Sequence, residues 1–206
     1  MVDYQTAVAK SLLDIAAIKL QPNDPFTWAS GIKSPIYTDN RKTISFPDAR
    51  RIIIDGLAAL IKEQYPNVEV IGGVATAGIP HAAWVAEKLD LPMIYVRSKP
   101  KDHGTGKQIE GVLAAGQKVV LIDDLISTGG SVLGAVKATQ AAGGEVLGVA
   151  AIFSYELPAA TINFAQAATP FSSLTNFSSL IQVAQKTGEI TADELTMIAN
   201  WHRTLE

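Results

Sequence analysis

Apolar residues along the first 65 positions change period twice. Val8, Leu12, Ile15 and Ala16 recur at helical spacing, and the spacing predicts an amphipathic helix over Tyr4–Leu20, ending before Pro22. Residues 22–46 lose that period. They are rich in Pro, Gly, Ser, Asn and Thr with interspersed aromatics, a pattern of short strands and turns that fits a small hood. Helical spacing returns over Pro47–Tyr65, where Pro47 suits a first turn and Ile53, Leu57, Leu60 and Ile61 share a face. Apolar runs then alternate with helical stretches. Strands are predicted at Val68–Ala75, Met93–Arg97, Val119–Asp123 and Val146–Phe153, with helices reaching Leu89 and spanning about Gly130–Ala142. Nearly continuous apolar strands separated by helices define an α/β fold, with an open parallel sheet covered on both faces. Thr191-Ala192-Asp193-Glu194 is a capping-box pattern and predicts a last helix through Trp201.

Composition narrows the function classes. The chain has 206 residues, 48% of them hydrophobic and 18% charged, which suits one folded domain over 1–206. The longest apolar run, Val146–Phe153, is far short of the roughly 20 residues a spanning helix needs, so no membrane is expected. The opening segment carries Asp3 and Asp14 and does not read as a secretory signal, so a cytoplasmic location is expected. There is no cysteine, which removes disulfides, thiolate metal sites and cysteine nucleophiles. Net charge is −3, yet Arg97–Lys107 holds four basic residues against Asp102. Positive charge is therefore concentrated in one window, and no nucleic-acid partner is expected.

The segment that carries chemistry is Val119–Ser131, in which an apolar strand delivers Asp123 and Asp124 to its C-terminal end. Leu125, Ile126, Ser127, Thr128, Gly129, Gly130 and Ser131 follow as a hydroxyl- and glycine-containing turn opening a helix. Ligands of open α/β sheets sit at that edge. Glycines permit close backbone approach, and the free amides with the positive end of the helix dipole at Ser127–Ser131 suit a phosphate monoester. Carboxylates beside it suit the vicinal hydroxyls of a sugar and a hydrated Mg²⁺. Together these describe a phosphorylated ribose. Gly104-Thr105-Gly106-Lys107-Gln108 does not meet the spacing of a P-loop, and no GxGxxG follows a strand.

The string Val119–Ser131 resembles the PRPP-binding signature of type I phosphoribosyltransferases. Thr27–Tyr37 and Tyr95–Gly104 are similar to the base-binding segment and the mobile catalytic loop of the orotate-using members of that family, and all three stand in the family's order. The resemblance implies a type I phosphoribosyltransferase fold, with 22–46 as the main part of an N-terminal hood, 65–155 as the PRPP-binding core and 98–111 as the loop. It implies a Mg²⁺-dependent transfer of ribose 5-phosphate from PRPP to N1 of orotate, giving orotidine 5′-monophosphate and diphosphate in pyrimidine biosynthesis. Arg97, Lys101 and His103 match the family's diphosphate-binding positions, and Lys101, Asp102 and His103 its catalytic loop. Asp123 and Asp124 would meet the ribose hydroxyls and hold the metal only through water, while Leu125 to Ser131 complete the PRPP-binding stretch. A homodimer sharing that loop between sites is also implied.

Base recognition departs from the pattern. Ala29 stands where one bacterial branch has a lysine, and Ser154-Tyr155-Glu156 lacks that branch's arginine. Ser98 likewise replaces a loop lysine, with Lys99 beside it. The orotate carboxylate is then left to Lys33 or to backbone amides near Ser30-Gly31, with Ser127 bonding the base. His81 reads as a packed or surface histidine. A purine phosphoribosyltransferase and a PRPP-sensing regulator of the same fold are the rival readings; Ser30–Pro35 and the intact basic loop argue against them.

Overall fold

The computed structural model describes residues 3–27, 33–99 and 108–205. Its first helix, α1 (Tyr4–Asp14), is capped by Asp3, whose carboxylate accepts from the Thr6 amide at 3.2 Å. The helix stops well before Leu20. Ala16 adopts a positive φ of 51°, and Ile18–Leu20 leaves as strand β1 to pair antiparallel with β4 (Ile36–Thr38). A long-range strand pairing therefore overrides the helical spacing at the end of that run. Between these strands lies a small hairpin, β2 (Phe26–Thr27) against β3 (Lys33–Ser34). A 3₁₀ turn over Asn40–Ser45 leads into α2 (Pro47–Gln64), which has proline in its first turn.

The central sheet follows. It comprises β5 (Val70–Val74), β6 (Met93–Val96), β7 (Ile109–Glu110), β8 (Lys118–Ile126), β9 (Glu145–Ser154) and β10 (Phe171–Asn176) in the order β10-β9-β8-β5-β6-β7. All pairs are parallel except the two-residue edge strand β7, which runs antiparallel to β6. Helices α3 (Gly78–Leu89), α4 (Gly130–Ala141), α5 (Pro158–Gln166), α6 (Phe177–Lys186) and α7 (Ala192–Arg203) complete the chain. The capping box at Thr191 and Glu194 is formed. Among the described residues no helix is long and apolar enough to cross a membrane.

Alternation along the central strands divides the core. Val120 and Ile122 of β8, with Ala150 and Ile152 of β9, pack under α1, α2, α3 and α6. Val119 and Leu121, with Val149 and Ala151, face α4 and α5, where Val132, Val136 and Phe164 cover them. With both faces buried, these strands carry no solvated side until they reach their C-terminal ends. The segments α5, β10 and α6 are absent from the pattern reading. Residues 158–169 are alanine-rich without a clear period, and the edge strand Phe171-Ser172-Ser173-Leu174-Thr175-Asn176 is largely polar.

Candidate active site at the C-terminal edge of the sheet

Strands β5 and β6 end one position beyond the level of Ile122, while β8 continues beside β9 to Ile126. Ile122, Gly73 and Tyr95 lie level in register, so the parallel arrangement brings Asp123–Asp124, Ala75-Thr76 and Arg97 to one edge. Two strand spacings, about 10 Å, separate the acid pair from Arg97. The buried end of β8 holds Asp123 at 8% exposure. Its Oδ1 accepts from the Asp124 amide at 2.9 Å. Burial first, and the neighbouring charge of Asp124 second, push Asp123 up to about 7; burial also raises Asp124.

Beyond the acids the chain turns outward. Ser127, Thr128, Gly130 and Ser131 are exposed, whereas Gly129 is buried with φ of 79° as the residue before α4. A Cβ on Gly129 would lie 2.6 Å from the Phe164 ring, so both backbone and packing call for glycine. The Asn163 side-chain amide donates to the Thr128 carbonyl at 2.9 Å and fixes the outer arc of the turn. The cavity of about 70 Å³ inside it is lined by Asp123, Ser127, Thr128, Ser131 and the two glycines. The first turn of α4 opens at this cavity, so backbone amides and helix dipole favour an anion there. A larger cavity of about 390 Å³, between Gln108, Leu113 and Ala138, has no charged side chain among the described residues of its wall.

On the other side of the edge, the Arg97 amide donates to the Gln108 carbonyl at 2.9 Å, and the Gln108 side chain returns a bond to the Arg97 carbonyl at 3.1 Å. Its guanidinium lies 3.9 Å from Glu110. The start of α3 approaches β8 so closely that a Cβ on Gly78 would collide with the Ile122 carbonyl. Lys101, Asp102 and His103, as well as Ala29, Ser30 and Gly31, lie outside the described residues.

The hood meets this edge through residues that pattern reading missed. Asn40 donates its side-chain amide to the Asp124 carbonyl at 2.8 Å, across 84 positions of sequence. Arg41 follows it, with Nε bonded to Asp39 Oδ1 at 2.7 Å, and that bond holds the Asp39 carboxyl below its usual range. The only sequence signal was a polar Asp-Asn-Arg run after a short strand. Lys33 sits in the hairpin, its ammonium on Thr27 Oγ1 at 2.7 Å. Tyr155, where a branch of the resembling family carries arginine nearby, instead donates its hydroxyl to Thr38 Oγ1 at 2.8 Å. His81 is fully buried, 3.2 Å from Thr43 Oγ1. Burial, and secondarily the charge of Arg50, lowers its pKa to about 4. It is a packing histidine.

Paired acids on a central strand, a glycine turn at a helix N-terminus and a covering hood are together the architecture of phosphoribosyltransferases. The family model described as "Phosphoribosyl transferase domain" matches residues 44–163. Orotate phosphoribosyltransferase of Lactiplantibacillus plantarum is 63% identical, over 100% of this chain and 97% of its own. Among solved structures, UMP synthase of Leishmania donovani superposes with a TM-score of 0.82 at 25% identity, covering 97% of this chain; the chain spans 42% of that protein's length. Mycobacterium tuberculosis orotate phosphoribosyltransferase in complex with PRPP superposes with a TM-score of 0.67 at 25% identity, over 86% of this chain and 98% of that one. The chain belongs to the orotate phosphoribosyltransferases, with the type I phosphoribosyltransferase fold.

Proposed function

We propose that this chain transfers the ribose 5-phosphate group of PRPP to N1 of orotate, releasing diphosphate and giving orotidine 5′-monophosphate for pyrimidine biosynthesis. The observation that carries the reading is the buried acid pair running without a break into the exposed hydroxyl–glycine turn at the start of α4. In this reading Ser127, Thr128, Gly129, Gly130 and Ser131 hold the 5′-phosphate by hydroxyls and amides, with Leu125 and Ile126 carrying the strand into that turn. Asp123 and Asp124 accept hydrogen bonds from the ribose 2- and 3-hydroxyls.

As the C1–O bond breaks, its electron pair leaves with diphosphate, and the N1 lone pair of orotate forms the new bond to C1. Arg97, Lys101 and His103 receive the charge that grows on the leaving group, with Asp102 ordering the loop's cations within 98–111. N1 of orotate is acidic for an amide-like nitrogen, so no dedicated base is assigned, and its proton passes to water or to the departing diphosphate. Ser127 bonds the base, and Lys33 is one candidate for the orotate carboxylate.

Two adjacent carboxylates that repel one another suit a cation. With two adjacent carboxylates as the donors, the set fits a hydrated Mg²⁺ resting on Asp123 and Asp124 through water. When bound, the ion neutralises charge on the substrate's diphosphate. We also propose a homodimer that shares the 98–111 loop between sites and works in the cytoplasm.

The experiment is orotate consumption by the purified protein with PRPP and Mg²⁺, beside adenine, hypoxanthine, xanthine and uracil, with and without EDTA. Metal-dependent turnover of orotate alone is the expected result. Turnover only with a purine would overturn the base assignment, and PRPP binding without transfer to any base would overturn catalysis.

A further inference from the structure

We propose that Arg41 receives the carboxylate of the pyrimidine substrate and thereby sets the preference for a carboxylated base over an uncharged one. The inference rests on the functional reading above and adds a residue to it. Arg41 lies in the 3₁₀ turn Asn40–Ser45, whose first residue is bonded to the Asp124 carbonyl, so its backbone is tied to the acid-pair edge. The charge of Asp124 acts on its guanidinium, as does the neighbouring Tyr37.

The orientation of the guanidinium is already set. Nε is engaged by Asp39 at 2.7 Å, while Nη1 and Nη2 have no hydrogen-bond partner among the described residues, and the side chain is 67% exposed. A guanidinium held by its Nε presents the remaining parallel donors to a planar carboxylate, a geometry an ammonium cannot reproduce. Each of the other cations within 22–46 is an ammonium, without a fork, and is drawn to a neutral oxygen. Lys33 is on Thr27 Oγ1, and Lys42 donates to the Ala16 carbonyl at 2.9 Å. Just beyond the hood, Arg50 donates to the Ile44 carbonyl at 3.0 Å and lies over the Trp84 ring.

Asp39 and Asp124 make this corner unfavourable for an anion unless a cation faces it. Arg41 is that cation, on the hood side of the acid pair, whereas Arg97 stands on the opposite side. Tyr37, 40% exposed and 5.6 Å from Phe26 between ring centres, offers an aromatic surface beside it. An uncharged base would offer the fork no charged planar partner.

Steady-state kinetics with orotate and PRPP varied separately test this on wild type, Arg41→Gln, Arg41→Lys and Lys33→Ala, with uracil as the uncharged comparison. For Arg41→Gln the KM for orotate should rise roughly tenfold to a hundredfold, with the KM for PRPP changed less than about twofold, and the orotate-to-uracil preference should fall by a similar factor. Arg41→Lys should fall between, because it keeps charge and loses the fork; it also carries the test should the glutamine variant not fold. A rise confined to the KM for PRPP would make Arg41 a phosphate contact and overturn the proposal. Unchanged constants, or an orotate effect in Lys33→Ala alone, would overturn it too. Wild type failing to turn over orotate would instead reject the underlying reading.

Discussion

Between Lys118 and Ala141 strand, acid pair, turn and helix follow one another without interruption, whereas between Ile18 and Ser45 short strands pair among themselves and are seated by contacts with distant parts of the chain. The acid pair is fixed because β8 is buried on both faces and flanked by β5 and β9, so Asp123 and Asp124 have one place to go. The hood has no such core. Its strands are two or three residues long, and its position comes from Asn40 on the Asp124 carbonyl, Tyr155 on Thr38 and Trp201 on the Lys33 carbonyl. In the proposed function the phosphate and ribose groups fall to the rigid half, and the base to a half assembled from separable contacts.

That contrast can be broken at either end. The largest effect should come from Asp123→Asn, which keeps the shape of the strand end and removes a charge: kcat/KM should fall at least about a hundredfold with little change in thermal stability. A variant with full activity would remove the acid pair from the site. His81 probes the seam between the halves. The unfolded chain takes up a proton there as pH falls through about 6.5, the folded chain only near 4. Its contribution is therefore complete above pH 6.5 and is lost progressively down to pH 4, by at most about 3 kcal/mol. Denaturant titrations across that range should show the slope in wild type and a flatter profile in His81→Gln.

Gly129→Ala tests the turn. The strained φ and the Phe164 contact should cost about 1–3 kcal/mol in thermal unfolding and weaken PRPP binding. Smallest should be Tyr155→Phe, which removes the hydroxyl bonded to Thr38, at about 1 kcal/mol, with any kinetic effect confined to the KM for orotate. Equal effects on orotate and PRPP would show that the two halves are not separable.

The same division explains what was legible in the sequence. Val119–Ser131 could be read because strand, acids, turn and helix start are contiguous, and each depends on local spacing or burial. The capping box at Thr191 was legible for the same reason. The end of α1 was not: Ile18–Leu20 continues the apolar run of the helix, and only pairing with Ile36–Thr38 turns it into a strand. Nor was Asn40, whose partner lies 84 positions away. Edge strand β10 escaped because half its surface faces water and its serines carry no alternation, while α5 lacked a clear polar face. Arg41 was visible as a residue, but not as an oriented one until Asp39 was seen to hold it.

Helix α7 braces the hood from the far end of the chain. Asn23 donates to Glu194 and Trp201 to the Lys33 carbonyl across 171 and 168 positions, while His202 meets the Tyr155 carbonyl at 2.5 Å and stacks on Phe177. Seating the hood therefore costs the closure of a long loop, whereas the turn after the acid pair makes no contact of this kind with α7 among the described residues. Fraying of α7 would release the hood while leaving that turn in place, so the two parts of the molecule would loosen at different temperatures.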